Sequence, residues 1–172
     1  MANDINIDAN ITFLVKELEN YIDNPNISLP EEIFLFVSRI TPMVNVDLLI
    51  KDENNRTLLS WRDDKYSGKG WHIPGGMLRI KETLENRVQK VAITEIGTNL
   101  IVFDHTPIKW YQTINEQTER CHFISFLYRC HLPSSFVPDN KNLKCNDPGF
   151  LKWHNKCPDN LLITQKIYSE FI

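Results

Sequence analysis

The run "WHIPGGMLRIKETLENRVQKVAITEIG", residues 71–97, opens on the double glycine Gly75-Gly76 and closes on a carboxylate, Glu95, just before Gly97. A Pro-Gly-Gly after an apolar strand marks a turn where the backbone can approach a ligand, because glycine tolerates positive φ and has no side chain in the way. A helical pattern follows, with Leu84, Val88, Val91 and Ala92 on one stripe and Gly97 placed as its terminator. Glu95 stands seven positions after Val88, within about 20° of it around an ideal helix, so the pattern predicts a carboxylate inside the buried stripe. An ionised carboxylate taken from water is costly unless a cation or hydrogen-bond donors compensate it. Two readings are open: a structural salt bridge or a helix end emerging into solvent, and a metal ligand held against the backbone carbonyls of the Gly-Gly turn. Mg²⁺ suits the second, since it takes oxygen ligands, keeps several waters and shares itself with substrate phosphates.

The elements that must position this run can be read on both sides of it. Ile11, Leu14, Val15, Leu18, Tyr21 and Ile22 recur at helical spacing until "DNPN" intervenes, and a second helix is predicted from Pro30, with Glu31 and Glu32 in its first turn, ending before Pro42. "MVNVDLLI" and "RTLLSW", separated by the polar "KDENN", predict an antiparallel hairpin, with a further strand reaching Trp71–Ile73. "LIVFDH", "IKWYQTI" and "CHFISFLYRCHL" read as strands, with "INEQTER" as a polar turn before the last of them. "GFLKW" is a final short strand and "PDNLLITQKIYSEFI" a terminal helix. Residues 133–148 form the longest irregular stretch, and loops that long are often functional.

Composition narrows the class. At 172 residues, 42% hydrophobic and 24% charged, the chain suits one α+β or α/β domain able to bury a full core. A formal charge of −3 gives no general basic field for duplex binding, though a local basic patch can hold a nucleotide. No segment approaches the roughly 18 apolar residues of a membrane helix, and the amino terminus lacks a basic region followed by an apolar run. We therefore expect a cytoplasmic protein that engages neither nucleic acid nor membrane. The cysteines at 121, 130, 145 and 157 contain no C-x-x-C pair, and the odd offset between Cys121-His122 and Cys130-His131 puts the cysteines on opposite faces of one strand. Trp71 and Trp110 are expected in the core rather than stacked on a base or sugar.

The run from Gly76 resembles the box of the Nudix hydrolases: Gly, five residues, Glu, seven residues, then Arg-Glu-apolar-x-Glu-Glu-x-Gly. Gly76, Glu82, Glu95 and Gly97 fall in register, while Lys90, Val91 and Thr94 replace the arginine and two of the glutamates. That pattern of loss is similar to the GDP-mannose mannosyl hydrolase branch, as are "ITPMVNVDLLI", "LLSWRDDKYSGKGWHIPGG", "ETLE", "TEIG" and the strand around Trp153. The resemblance implies an α/β/α sandwich with a mixed sheet and a loop-helix-loop box, over residues 41–172. The amphipathic helix of the preceding extension, 1–40, is expected to pack on the domain or on a homodimer partner.

The resemblance further implies one divalent ion, Mg²⁺ or Mn²⁺, held by the Gly75 carbonyl, Glu95 and a loop group falling near Asp147. The implied reaction is hydrolysis of a nucleoside diphosphate sugar, GDP-mannose-like, with water attacking the sugar carbon. The alternatives are a general nucleoside diphosphate pyrophosphohydrolase attacking phosphorus and a catalytically impaired nucleotide-binding module. The branch's loop histidine base would fall near Pro148, where none is present, so Asp147 and His154 become the nearby candidates alongside Arg62 for catalysis. Asp47 and Arg62 match branch positions near the substrate. Met77 stands where the branch has an arginine, a charge for which Arg79 is the candidate substitute, and Lys90 is expected to pair with Glu82 through an ammonium that lacks the arginine fork.

Overall fold

The chain's computed structural model describes the backbone of residues 2–114, 120 and 122–172, and the side chains of that set from residue 8 onward. The turn expected over "INEQTER" falls largely on 115–119 and, like Cys121, lies outside the described residues. Helices α1 (Ala2–Glu19) and α2 (Glu31–Ile40) lead into strands β1 (Met43–Lys51), β2 (Thr57–Asp64), β3 (Gly68–His72) and β4 (Gly75–Met77). Helix α3 (Leu84–Val91) runs into a π turn (Ala92–Ile96), followed by β5 (Val102–Phe103), β6 (Lys109–Ile114), β7 (His122–His131), β8 (Leu151–His154) and a 3-10 helix (Ile163–Tyr168).

All eight strands join one mixed sheet, with β3, β2, β1, β7 and β5 in that order, β4 on β1, β6 on β7 and β8 on β2. The expected hairpin is present: β1 and β2 pair antiparallel with Lys51 opposite Thr57. Asp52 shapes its turn by accepting the backbone N–H groups of Asn54 and Arg56 at 3.0 and 2.8 Å. β1 and β7 run parallel, Asp47 opposite Leu127. Because strand side chains alternate, Val46, Leu48 and Ile50 of β1 pack on one face with Val88, Val91, Ala92 and Ile96, whereas Leu49 joins Leu59, Trp61, Trp71, Leu161 and Tyr168 on the other. The sheet is thus sandwiched between α3 with its π turn and the carboxy-terminal segment. Trp71 is core, as expected, but Trp110 is 63% exposed.

Two expectations are corrected. The terminal segment is a short 3-10 helix rather than an α-helix. Its first residues are taken by the sheet edge, since Trp71 N–H donates to Asn160 O and Leu162 N–H to Trp71 O, leaving that backbone unavailable to a helical ladder. "LIVFDH" keeps only two strand residues. In the extension, α2 has the expected bounds, with Leu35 and Ser38 buried. Ile11, Phe13, Leu14, Val15 and Leu18 of α1 are exposed. Among the described residues no helix is long and apolar enough to cross a membrane.

Candidate active site

The two glycines of the opening run are required by different neighbours. β4 pairs with β1 so that Gly75 lies opposite Asp47 and Gly76 opposite Val46. A Cβ on Gly75 would stand 2.2 Å from Asp47 Oδ1 and 2.8 Å from Val46 O, and one on Gly76 would stand 2.8 Å from Val91 Cγ2 of α3. Gly75 therefore lets β4 close onto the Asp47 carboxylate, and Gly76 lets the helix close onto β4. Thr83 caps α3 by accepting the Asn86 N–H at 3.2 Å.

Glu95 is where the sequence pattern misplaces a side chain. α3 ends at Val91, and the next five residues form a π turn whose wider winding holds Glu95 back from the stripe. Ile96 takes the buried position instead, and Gly97, at φ +77°, closes the turn with its N–H on Ala92 O. Glu95 is exposed at the wall of a cleft that it shares with Ser60, Arg62, Asp63, Asp64, His72, Pro148 and Gly149. Partial desolvation raises its carboxyl above the ordinary range, and Arg62 is the cation that opposes the rise.

Arg62 and His72 also line a second cleft, of about 940 Å³ including its open mouth, whose wall carries Asp47, Gly75, Gly76, Tyr66, Arg120, Ser125 and Tyr168. Asp47 lies at the bottom, 5% exposed. Burial raises its carboxyl, against hydrogen bonds from Tyr168, whose hydroxyl donates to Oδ2 at 2.6 Å, and Ser125 and against the charge of Arg62. The cleft junction has one further member, His72. His72, opposite Ser60 in the β2–β3 pair, is buried, with Nδ1 2.8 Å from Ile73 O. A carbonyl only accepts, so Nδ1 carries the proton and Nε2 is left as an acceptor. Burial first, then Arg62, lower the ring to about 3. Alternation along β3, with Trp71 committed to the opposite core, was the available sequence signal for His72.

Lys90 pairs with Glu82 as expected, Nζ to Oε1 at 2.8 Å, but the fork comes from elsewhere. Arg87 reaches Glu82 Oε2 with Nε at 2.7 Å and Nη2 at 2.6 Å, and the Arg79 N–H adds a bond at 3.0 Å. Burial pushes this carboxyl up, and those donors outweigh it to hold Glu82 below the usual carboxylate range. Glu82 thus ties the loop after β4 to the first turns of α3. Arg79 lines neither cleft; its side chain is half-buried beside Arg87.

The loop candidates are not drawn in. Asp147 Oδ2 accepts the Lys144 N–H at 2.8 Å, and only its neighbours Pro148 and Gly149 reach the Glu95 cleft. His154 packs edge-on against Trp71 with ring centroids 4.5 Å apart, burial and Lys152 lowering it to about 4, and it lines neither cleft. Among the described residues no three His, Cys, Asp or Glu side chains cluster as a metal site. A cation at the Gly-Gly turn would thus draw on Glu95, backbone carbonyl oxygen, water and the ligand's own oxygens. That all-oxygen set, with a carboxylate whose raised pKa a cation would reverse, fits a hard divalent ion such as Mg²⁺.

The sequence model of the NUDIX domain family matches residues 41–157, more than half of the chain. The low-salt glycan biosynthesis protein Agl8 of Haloferax volcanii is 30% identical over 83 residues, covering 48% of this chain and 53% of that protein, so the match spans about half of each. Among solved structures, the MutT NUDIX hydrolase from Burkholderia pseudomallei superposes with a TM-score of 0.60 at 22% identity, over 77% of this chain and 98% of that one. The bifunctional NMN adenylyltransferase/ADP ribose pyrophosphatase from Francisella tularensis gives 0.54 at 18% identity, over 81% and 46%. A NUDIX-family hydrolase from Clostridium perfringens gives 0.54 at 16%, over 76% and 94%. These likenesses establish the fold.

Proposed function

Because the chain belongs to the NUDIX domain family, whose members are hydrolases that generally use divalent metals, we propose that it hydrolyses a nucleoside diphosphate sugar of the GDP-mannose type with Mg²⁺, Mn²⁺ being an alternative. The observation that carries this reading is the junction of two clefts at Arg62 and His72, with Glu95 on one side and Gly75 and Asp47 on the other. Glu95 and the Gly75 carbonyl would hold the ion, which supplies positive charge to a departing or attacked diphosphate. Arg62 would add to that charge, and Asp47 would offer a buried oxygen to a sugar hydroxyl. The likeness to a glycan biosynthesis protein supports a sugar nucleotide over a bare nucleotide.

The test is the purified chain with GDP-mannose and other nucleoside diphosphate sugars in the presence of Mg²⁺ or Mn²⁺. We expect free sugar and nucleoside diphosphate; no turnover with any of them would overturn the reading. A second reading, attack at phosphorus, is favoured by the engagement of Asp147 with Lys144 and of His154 with Trp71, since neither stands ready as a base for attack at carbon. Heavy-oxygen water separates the two, the label entering the sugar for carbon attack and a phosphate product for phosphorus attack. The exposed apolar residues of α1 support a homodimer, which light scattering on the full chain would reveal as twice the chain mass.

A further inference from the structure

His72 lines both clefts, and its ring, 4% exposed, is held in one orientation. Nδ1 donates to Ile73 O at 2.8 Å, and the Ile73 N–H donates to Gln165 Oε1 of the 3-10 helix at 3.1 Å, so the residue that receives the ring is itself fixed. With Nδ1 committed, Nε2 is the polar atom left on the ring. It has no hydrogen-bond partner among the described residues, yet it is not sealed from solvent as Asn45 Oδ1 and His154 Nε2 are. Nε2 is therefore the edge of the ring that a ligand in the clefts can reach.

Burial, and then the charge of Arg62, keep this ring neutral at neutral pH, with Asp64 acting the other way. Nε2 thus stays a lone-pair acceptor and does not become a donor. Such an atom is selective: it gains from an O–H group and is left unpaired by a phosphoryl oxygen, which has only lone pairs to offer. A buried polar atom placed to meet a donor discriminates strongly against a ligand that lacks one. Asp47, in the same cleft, is the group already assigned to a sugar hydroxyl. In a nucleoside diphosphate sugar both groups flanking the diphosphate carry hydroxyls, whereas in a nucleoside triphosphate one of them is a further phosphoryl group. The acceptor suits the first and opposes the second.

We propose that His72 Nε2 is a specificity-determining acceptor for a hydroxyl of the sugar, selecting a hydroxylated group over a third phosphoryl group at the junction of the clefts. This rests on the reading of the substrate as a nucleoside diphosphate sugar. It gives the sugar a second contact, from the end of β3, beside the one from Asp47 of β1.

Two substitutions separate the ring nitrogens: asparagine keeps a donor near the Nδ1 position and places nothing at Nε2, whereas glutamine carries an oxygen acceptor out toward Nε2. Calorimetric titration of GDP-mannose, GDP and GTP into the full chain, with chelator present, reads binding without turnover. His72→Asn is expected to weaken GDP-mannose at least about fivefold, to leave GDP within about twofold and to leave GTP no weaker. His72→Gln should recover part of the loss. Wild-type protein that binds no GDP-mannose, or a His72→Asn affinity for it within about twofold of wild type, overturns the proposal. So does an equal loss for GDP, which puts the contact on the ribose or the fold, and so does a loss that glutamine does not reduce, which assigns it to ring packing. If His72→Asn does not fold, monodeoxy GDP-mannoses with wild-type protein decide. Asp47 and His72 each take a hydroxyl, so removal of either of two hydroxyls should weaken binding at least about threefold, and fewer than two such positions reject the proposal. His72-dependent binding of GDP-mannose in a chain that turns over no sugar nucleotide sinks the proposed reaction and leaves the acceptor standing; turnover with binding indifferent to His72 does the reverse.

Discussion

Replacing Glu82 by glutamine tests whether the box glutamate is a structural tie or a spectator. Its side chain is 4% exposed and receives Arg87 twice, at 2.6 and 2.7 Å, Lys90 at 2.8 Å and the Arg79 N–H at 3.0 Å. Breaking a buried pair by removing one partner costs about 3–5 kcal/mol. Glutamine retains an oxygen that can still accept from Arg79 or Arg87, which lowers the loss. Lys90, half-exposed, contributes under about 1 kcal/mol. We therefore expect Glu82→Gln to lower the unfolding free energy by about 2–3 kcal/mol in a urea titration at neutral pH.

The pH dependence sharpens the test, because only the ionised carboxylate makes all of these bonds and gives them their charge assistance. The folded-state pKa of Glu82 is depressed, so its contribution is complete above the unfolded value of about 4.3 and lost as pH falls through the folded one. The gap between wild type and variant should hold steady from about pH 7 to about pH 5 and close as the pH falls below about 4. A gap smaller than about 0.5 kcal/mol at neutral pH, or one that stays constant to about pH 3, would refute the argument that charge-assisted bonds to Glu82 hold the loop to the helix.

Glu95→Gln should weaken divalent-metal binding by at least about tenfold with the urea midpoint nearly unchanged, since Glu95 is exposed and outside the core; titration with Mn²⁺ followed by electron spin resonance reads the first and denaturation the second. Gly75→Ala puts a Cβ 2.2 Å from Asp47 Oδ1, and the forced shift should cost about 1–3 kcal/mol by thermal denaturation. Tyr168→Phe removes the 2.6 Å donor from Asp47 and should cost about 1–3 kcal/mol. Because the folded pKa of Asp47 is raised, ionising it already opposes folding as pH rises, and losing Tyr168 worsens this. The Tyr168→Phe deficit should therefore grow as pH rises through the raised folded-state pKa of Asp47; a deficit constant across the whole pH range of the folded protein would show that Asp47 does not titrate against Tyr168.

The sheet was legible because alternation is a strong signal: Val46, Leu48 and Ile50 go to one core and Leu49 to the other, as the strand period demands. Helix α2 was legible from Pro30 and its two acidic residues. The terminal segment was not, because a backbone exchange with Trp71, a non-local event, competes with its helical spacing. In the site, residue types were readable and orientations were not. A fixed turn per residue carries Glu95 into the core, and the π turn that prevents this has no signature in the pattern. Proximity along the chain also misled for Asp147 and His154, whose polar and aromatic partners lie outside the clefts. Arg87, five residues beyond Glu82, supplies the fork that the box assigns to position 90.

Seen from the two glycines, the proposed metal side and the proposed substrate side of the site are joined by close contacts. Gly75 is fitted to Asp47, which Tyr168 holds from the opposite face of the sheet, and Gly76 is fitted to Val91, the residue immediately before the π turn that aims Glu95. β4 is thus packed between Asp47 on one side and Val91, at the start of the turn carrying Glu95, on the other. Glu82 reinforces the same path by binding the loop after β4 to Arg87 and Lys90 of α3. Such a chain of close contacts between rigid elements holds a lone carboxylate in position without neighbouring acidic ligands. These contacts support the proposal that Glu95 keeps its place while Val91 and Thr94 occupy positions where the fuller pattern has glutamates.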